Sequence, residues 1–276
     1  MTLRAGQLER LPQLRARPFD RSRHLPVSIG DLLSKKLQGK LQSIATVLEY
    51  GRTGSVVFCE GEDAHFVYIV GAGIVRVSRL SPAGRRQVLA LMFAGDIFGL
   101  PDAGLYVNST EVIGPSTLYR IPWAPLGALM RREPEIQAAL LTRIAFDYRQ
   151  AQWRIMALAQ QNAMQRLASF LLDLSQHPEF YDKRKSQIQI PLSRFDLGDY
   201  LGMARETVTR TFATMETMKA LKRRSPFLLE ISDIGLLRRI ALGPRRAPNR
   251  SGNSKFQSRG RSLPYRETIG VREPRL

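Results

Sequence analysis

Apolar residues change their period twice along this chain. Between residues 31 and 44 they recur at helical spacing, which predicts a short amphipathic helix. Short apolar runs separated by glycine follow: residues 56–59, 66–70, 74–78 and 87–93 read as strands, with tight turns at 51–54, 71–73 and 81–84. Strands at such even spacing predict an all-β barrel or roll. After Pro134 the period becomes helical again. Leu141, Ile144, Tyr148, Ala151, Ile155 and Leu158 follow a 3-4-3-4-3 spacing, the seam of a coiled coil, and are assigned to a dimer contact. The competing reading is a core helix lying on its own β-domain. A second helical pattern, Leu167, Phe170, Leu171 and Leu174, reads as the core of a separate domain.

Local signals concentrate in residues 188–221. Ser193 followed by Asp196 is a capping-box-like start, with Asp in place of the usual Glu or Gln. Leu197, Tyr200 and Leu201 give that helix one apolar side, and Gly202 ends it by taking the left-handed conformation of a tight turn. A second helix opens near Arg205. Its Val208, Phe212 and Met215 fall at i, i+4 and i+7 and face inward, which leaves Arg205, Glu206, Thr209 and Arg210 on the outer N-terminal face. A helix that enters the major groove needs long polar side chains there: Arg holds guanine O6 and N7 with two bonds, and Glu accepts from cytosine N4.

The bland alternative is a solvated face with a Glu206 to Arg210 ion pair worth about 0.2–0.5 kcal/mol. Three neighbouring features favour DNA: the preceding helix, the glycine turn, and Lys222, Arg223 and Arg224 ahead of a strand-like stretch at 227–231 that resembles the wing of a winged helix. Arg205, Glu206, Thr209 and Arg210 are therefore the expected base readers. Ser193, Thr207, Lys222, Arg223 and Arg224 are assigned to phosphates, which set register without reading sequence. Ala204 stands at the start of the second helix and cannot cap its free amides, an omission that typically costs about 1 kcal/mol.

Charge sharpens this picture. Lys and Arg number 42 against 24 acidic residues, a net +18, which places the chain in the field of a polyanion. Residues 1–28 carry +4 and residues 244–276 carry +7, and both read as disordered basic tails, so +7 belongs to the folded part between them. No run approaches the ~20 apolar residues of a membrane-spanning helix, and the N-terminus has charges where a signal peptide has its apolar core. A soluble, cytoplasmic protein without a membrane partner is expected. The single cysteine, Cys59, excludes an internal disulfide or a cluster of several thiolates and reads as a small buried residue rather than a redox centre. A phosphate loop of Walker type, G-x-S-x-G and H-E-x-x-H are all missing from the sequence, which argues against an enzyme.

Three blocks resemble the CRP/FNR superfamily of bacterial regulators. They are FCEGEDAHFVYIVGAGIVRVSR with GRRQVLALMFAGDIFGL, then NAMQRLASFLLDL, then LGMARETVTRTF, in family order across residues 31–242. The resemblance implies an α+β chain of five parts: a basic tail at 1–28, a cyclic-nucleotide-binding-like β-roll sensor at 29–133, a long dimerisation helix at 134–161, a winged helix-turn-helix at 162–243 and a basic tail at 244–276. It also implies a homodimer on double-stranded DNA with RNA polymerase as a partner, Glu206 and Arg210 as base readers, and a palindrome of TTGA-type or TGTGA-type half-sites.

Departures from the family pattern narrow the effector. Members that bind cyclic AMP carry Glu after the GDxxG segment and an Arg-Ser pair for the phosphate; here Leu100 and Asn108-Ser109 stand at those places. A cyclic phosphate buried without a cation is heavily penalised, so cyclic nucleotides are not expected. The oxygen-sensing cysteines are missing too, which leaves the FixK-like or nitrogen-oxide-responsive branch as nearest. No cofactor is expected, with a haem ligand among His24, His65 and His177 left open. The rival reading is a β-roll sensory protein whose C-terminal domain binds a protein partner; the charged outer face of residues 205–210 argues against it.

Overall fold

The computed structural model describes residues 28–84 and 86–243, so the two basic end segments, Ser28 apart, lie outside the described residues. Helix α1 (Lys35–Ser43) starts at Ser34, whose hydroxyl accepts from the Leu37 amide at 3.4 Å, and it buries Leu37 and Leu41. It is shorter than the expected 31–44 because Leu32 and Leu33 bond back to Ile29 and Gly30 in tight turns.

The roll is built from β1 (Thr46–Tyr50), β2 (Val56–Phe58), β3 (Phe66–Leu80), β4 (Arg86–Met92), β5 (Ile97–Phe98) and β6 (Ser109–Pro122). Pairing is antiparallel, in the order β1-β6-β3-β4, with β2 on β6 and β5 on β3. The expected turn at 71–73 is not a turn: one strand runs from Phe66 to Leu80. Its register against β6 slips twice, between Val70 and Ala72 and between Ala72 and Ile74, so the glycines form bulges. A Cβ on Gly73 would lie 2.6 Å from the Pro115 carbonyl, and one on Gly71 would lie 2.8 Å from the Tyr119 ring. Strand β6 has no counterpart in the sequence reading. Its Ser, Thr, Gly and Pro content hides it, and bonds from β1 and β3 on either side define it.

Two cores fill the roll. Phe58, Tyr68, Phe98 and Tyr106 stack inside it, with the Phe58 and Tyr106 centroids 3.7 Å apart. Leu37, Leu41, Val67, Ile97, Ile121 and Leu126 make the other, closed by α2 (Trp123–Arg132) and the first half of α3 (Pro134–Gln160). Helix α3 has 27 residues, about 40 Å at 1.5 Å per residue. It breaks at Gln161, and Asn162 opens α4 (Ala163–Leu174) with a full capping box to Gln165.

Beyond α4 come β7 (Tyr181–Asp182), β8 (Gln187–Gln189), α5 (Arg194–Leu201), α6 (Arg205–Thr217), β9 (Leu221–Arg223), β10 (Leu228–Ile231) and α7 (Ile234–Leu242). The strands form a sheet in the order β7-β8-β10-β9, all antiparallel. Leu167, Leu171, Leu197, Val208, Phe212 and Leu237 are fully buried beneath it. That core is not self-contained, because Ile74, Val88, Leu91 and Ile113 of the roll belong to the same cluster. The helix pattern at 167–174 therefore packs a unit that docks directly on the roll.

Candidate nucleic-acid interface

Helix α5 begins at Ser193, whose Oγ accepts from the Asp196 amide at 3.0 Å and donates to Asp196 Oδ2 at 2.6 Å. This is half of a capping box, since the carboxylate meets the Ser193 hydroxyl rather than its amide. The Ser193 hydroxyl is thereby engaged in the cap. Gly202 ends the helix at φ +63 and ψ +46, the left-handed cap expected from the sequence. Gly198 is a second requirement of the turn: a Cβ there would lie 2.7 Å from the Met203 carbonyl.

Helix α6 follows with Ala204 at its N-cap and no side-chain bond to the first-turn amides. Val208, Thr211, Phe212 and Met215 are buried beneath it. Arg205, Glu206, Thr209 and Arg210 are exposed together, whereas Thr207 is half-buried. No salt bridge among the described residues joins Glu206 to Arg210, so the bland ion pair is not formed. The Thr209 hydroxyl donates to the Arg205 carbonyl at 3.1 Å, so its proton is committed to the helix backbone while the residue stays exposed.

The basic residues of the wing differ from one another. Arg223 donates to Glu216 from its backbone amide at 2.9 Å and from Nη2 at 3.1 Å. Arg224 Nε donates to Glu230 at 2.7 Å. Lys222 is exposed and enters no salt bridge among the described residues. Sequence reasoning missed Arg194: its guanidinium lies 3.9 Å from the Phe212 ring centroid and donates to the Pro226 carbonyl at 3.3 Å, joining α6 to the wing. Burial, then the neighbouring Arg223, lowers its pKa. Between these elements lies an open cleft of about 630 Å³, lined by Ser193, Arg194, Phe195, Arg205, Thr209 and residues 223–227. Its arginines suit a phosphate backbone, and Arg205 and Thr209 of α6 form one wall.

The expected dimer seam is solvent-facing in the single chain. Leu141 is 60% exposed, Ile144 40%, Tyr148 64%, Ile155 67% and Leu158 41%, with Ala151 also exposed. The opposite face of α3 buries Ile136, Leu140, Arg143 and Phe146. Arg143, 3% exposed, pairs with Asp96 of the roll at 2.9 Å and with Asp147 at 2.7 Å. Burial outweighs this partner and pushes the Asp96 carboxyl up to about 6.

In the roll, Leu100 packs into the apolar core, and the Ser109 hydroxyl accepts from the Glu60 amide at 2.9 Å. The roll also holds a cation that sequence reasoning did not anticipate: Arg120, whose guanidinium lies 4.5 Å from the Phe66 ring centroid. His177 stacks at 4.3 Å on Phe93, and burial lowers its pKa. His65 is exposed, and His24 lies outside the described residues. Cys59 is exposed rather than buried, since the Val56–Phe58 strand ends before it, and partial desolvation together with the neighbouring Glu62 carboxylate raises its thiol pKa. No group of three or more His, Cys, Asp or Glu among the described residues is placed to hold a metal, and no helix among them is long and apolar enough to cross a membrane.

The chain matches two family models, a cyclic nucleotide-binding domain over residues 49–133 and a Crp-like helix-turn-helix domain over residues 165–240. It is 31% identical to the nitrogen fixation regulation protein FixK of Azorhizobium caulinodans over 187 residues, which is 67% of this chain and 75% of that protein. It is 25% identical to the transcriptional activator protein Anr of Pseudomonas aeruginosa, over 64% of this chain and 74% of that one. The solved structure of FixK2 from Bradyrhizobium japonicum superposes with a TM-score of 0.66 at 27% identity, covering 71% of this chain and 97% of that one. These relatives are transcription regulators rather than enzymes. With both domains in this order and a FixK relative matched over three quarters of its length, the chain belongs to the CRP/FNR family of DNA-binding transcriptional regulators, near FixK.

Proposed function

We propose that this regulator works as a homodimer on palindromic DNA, reading each half-site with Arg205, Glu206, Thr209 and Arg210 of α6. In this reading residues 29–133 are the sensor, 134–161 the dimerisation helix and 162–243 the DNA-binding domain. The observation that carries it is the joint exposure of those four side chains beside an open cationic cleft. Arg210 donates to a guanine and Glu206 accepts from the opposite cytosine, which gives a TGA core in a TTGA-type or, less favoured, TGTGA-type half-site. Two-fold symmetry places the half-site centres about one helical turn apart. Lys222 takes a phosphate directly. Arg223 and Arg224 serve phosphates less strongly because Glu216 and Glu230 already hold them, and Ser193 contributes least because its hydroxyl is committed to the helix cap.

The unpartnered apolar stripe of α3 supports the dimer. The stacked aromatic core supports an effector other than a cyclic nucleotide, since Phe58, Tyr68, Phe98 and Tyr106 occupy the roll interior. The chain acts in the cytoplasm with RNA polymerase as its partner and, like the Anr relative, as an activator.

Selection from a random DNA pool, followed by titration of the selected palindrome, tests the site. Arg210→Ala is expected to cost roughly 1–3 kcal/mol at the guanine and to flatten preference there. Lys222→Ala is expected to weaken all sequences about equally. An unchanged ratio of palindrome to scrambled binding in Arg210→Ala removes α6 as the base reader.

A further inference from the structure

A cluster of charges lies where the DNA-binding unit meets the roll. Arg76 on β3 is 4% exposed, and its guanidinium donates to Asp196 of α5 and to Glu111 of β6. Arg86 on β4 donates to the same Asp196 Oδ1 at 3.0 Å and to Asp199 Oδ2 at 3.0 Å. Arg154, in the second half of α3, donates to the Val88 carbonyl at 2.7 Å and the Tyr200 carbonyl at 2.5 Å, so it touches the roll and α5 at once. Asp196 and Asp199 are three residues apart and share one face of α5, turned toward the roll.

We propose that Arg76 and Arg86 of the sensor roll are positioning residues for DNA recognition: they hold α5 through Asp196 and Asp199 and so fix where the reading helix α6 sits. This rests on α6 being the base reader. The physical case starts from the apolar contact beneath the cluster. Ile74, Val88, Leu91 and Ile113 draw the unit onto the roll, but apolar attraction has no direction and permits sliding. Charged hydrogen bonds have direction, and a buried arginine displaced from its carboxylates is heavily penalised, so the cluster selects one docking register. Helix α6 follows α5 through the Gly202 turn, so a fixed α5 fixes α6. The docked arrangement leaves Arg205, Glu206, Thr209 and Arg210 exposed, so the cluster aims the reading face without covering it. In a two-fold dimer both reading helices must meet half-sites at one spacing, and a slip of about 3.4 Å in either moves it by one base pair.

The experiment uses the full chain. The variants are D199R, R86D, the charge-swapped pair R86D with D199R, and the conservative R86K. Spin labels on Cys59 and on T217C, diluted with unlabelled C59S chain, report the distance between roll and α6. Binding is then measured on palindromes with half-site spacing changed by one and two base pairs. The proposal expects a single narrow distance for the parent, broadening in D199R and R86D, and recovery in the swapped pair and in R86K. It expects D199R and R86D to lose roughly fivefold or more of the affinity ratio between the best and the shifted spacing, within the usual range of coupling between sites, with base preference inside each half-site unchanged. Unchanged distances and spacing preference in both single variants would overturn it, as would tighter binding to the best palindrome. A parent chain without spacing preference removes the base-reading proposal instead, and the distance measurement still decides the positioning role.

Discussion

At the residue scale, the start of α6 is the least secured point of the reading unit. Ala204 offers no oxygen to the open amides, although the backbone there already has the extended geometry of a cap at φ -64 and ψ 149. Ala204→Ser is expected to add about 1 kcal/mol and to raise the melting midpoint by about 2–4 °C, with base preference unchanged; a calorimetric scan showing no rise would contradict it. Asp96 yields a pH prediction. Its carboxyl is raised to about 6, chiefly by burial, against the pull of Arg143 and the Phe93 amide and with the push of Asp147. The folded state therefore binds this proton more tightly than the unfolded chain, a contribution fully present below about pH 4 and lost as pH rises through about 6. The stability difference between the parent and Asp96→Asn, followed by urea titration, is expected to fall across that window and to be flat from about pH 7 upward. The glycines show how far single residues were legible. Gly202 declared itself as a helix end, whereas the need for Gly198 comes from the Met203 carbonyl five residues away, a contact that exists only once the turn has closed.

At the element scale, α3 carries two faces with different fates. One half of its length packs on the roll through Ile136, Leu140 and Phe146, and along the other face the stripe from Leu141 to Leu158 meets solvent. Aspartate at both Ile144 and Ile155 should leave each roll folded, because these side chains are exposed in the single chain. It should also separate the dimer by burying unpaired charge at the seam. Sedimentation is expected to find monomer, circular dichroism an unchanged spectrum, and palindrome binding weaker; a persisting dimer would place the seam elsewhere. The 3-4 spacing made this stripe visible in the sequence because it depends on residues within one turn of each other. Strand β6 had no such signature, since its 14 residues interleave Ser, Thr, Gly and Pro with the apolar positions. Its neighbours β1 and β3 are distant in sequence, and only their hydrogen bonds make it a central strand.

At the scale of the whole molecule, charge is unevenly spread: residues 244–276 carry +7 of the net +18. Deleting them is expected to reduce the slope of binding against salt, because fewer counterions are released, and to leave the preferred sequence unchanged. A changed preference would mean that this segment reads bases. The sequence by itself determined the passage from a strand-rich roll to a long helix and then a helix-turn-helix with its glycine turn, the outward set Arg205, Glu206, Thr209 and Arg210, and the apolar stripe of α3. Each follows from a repeat or a cap spanning a few residues, where local sterics and periodicity suffice. Tertiary structure alone decided that residues 66–80 are one bulged strand, that Arg223 and Arg224 are held by Glu216 and Glu230, and that Arg76 and Arg86 grip α5 from the roll. Arg76 and Asp196 stand 120 residues apart. Nothing in the neighbourhood of either carries information about the other; their meeting is set by how the apolar cores close, and the charges then fix the register in which they do.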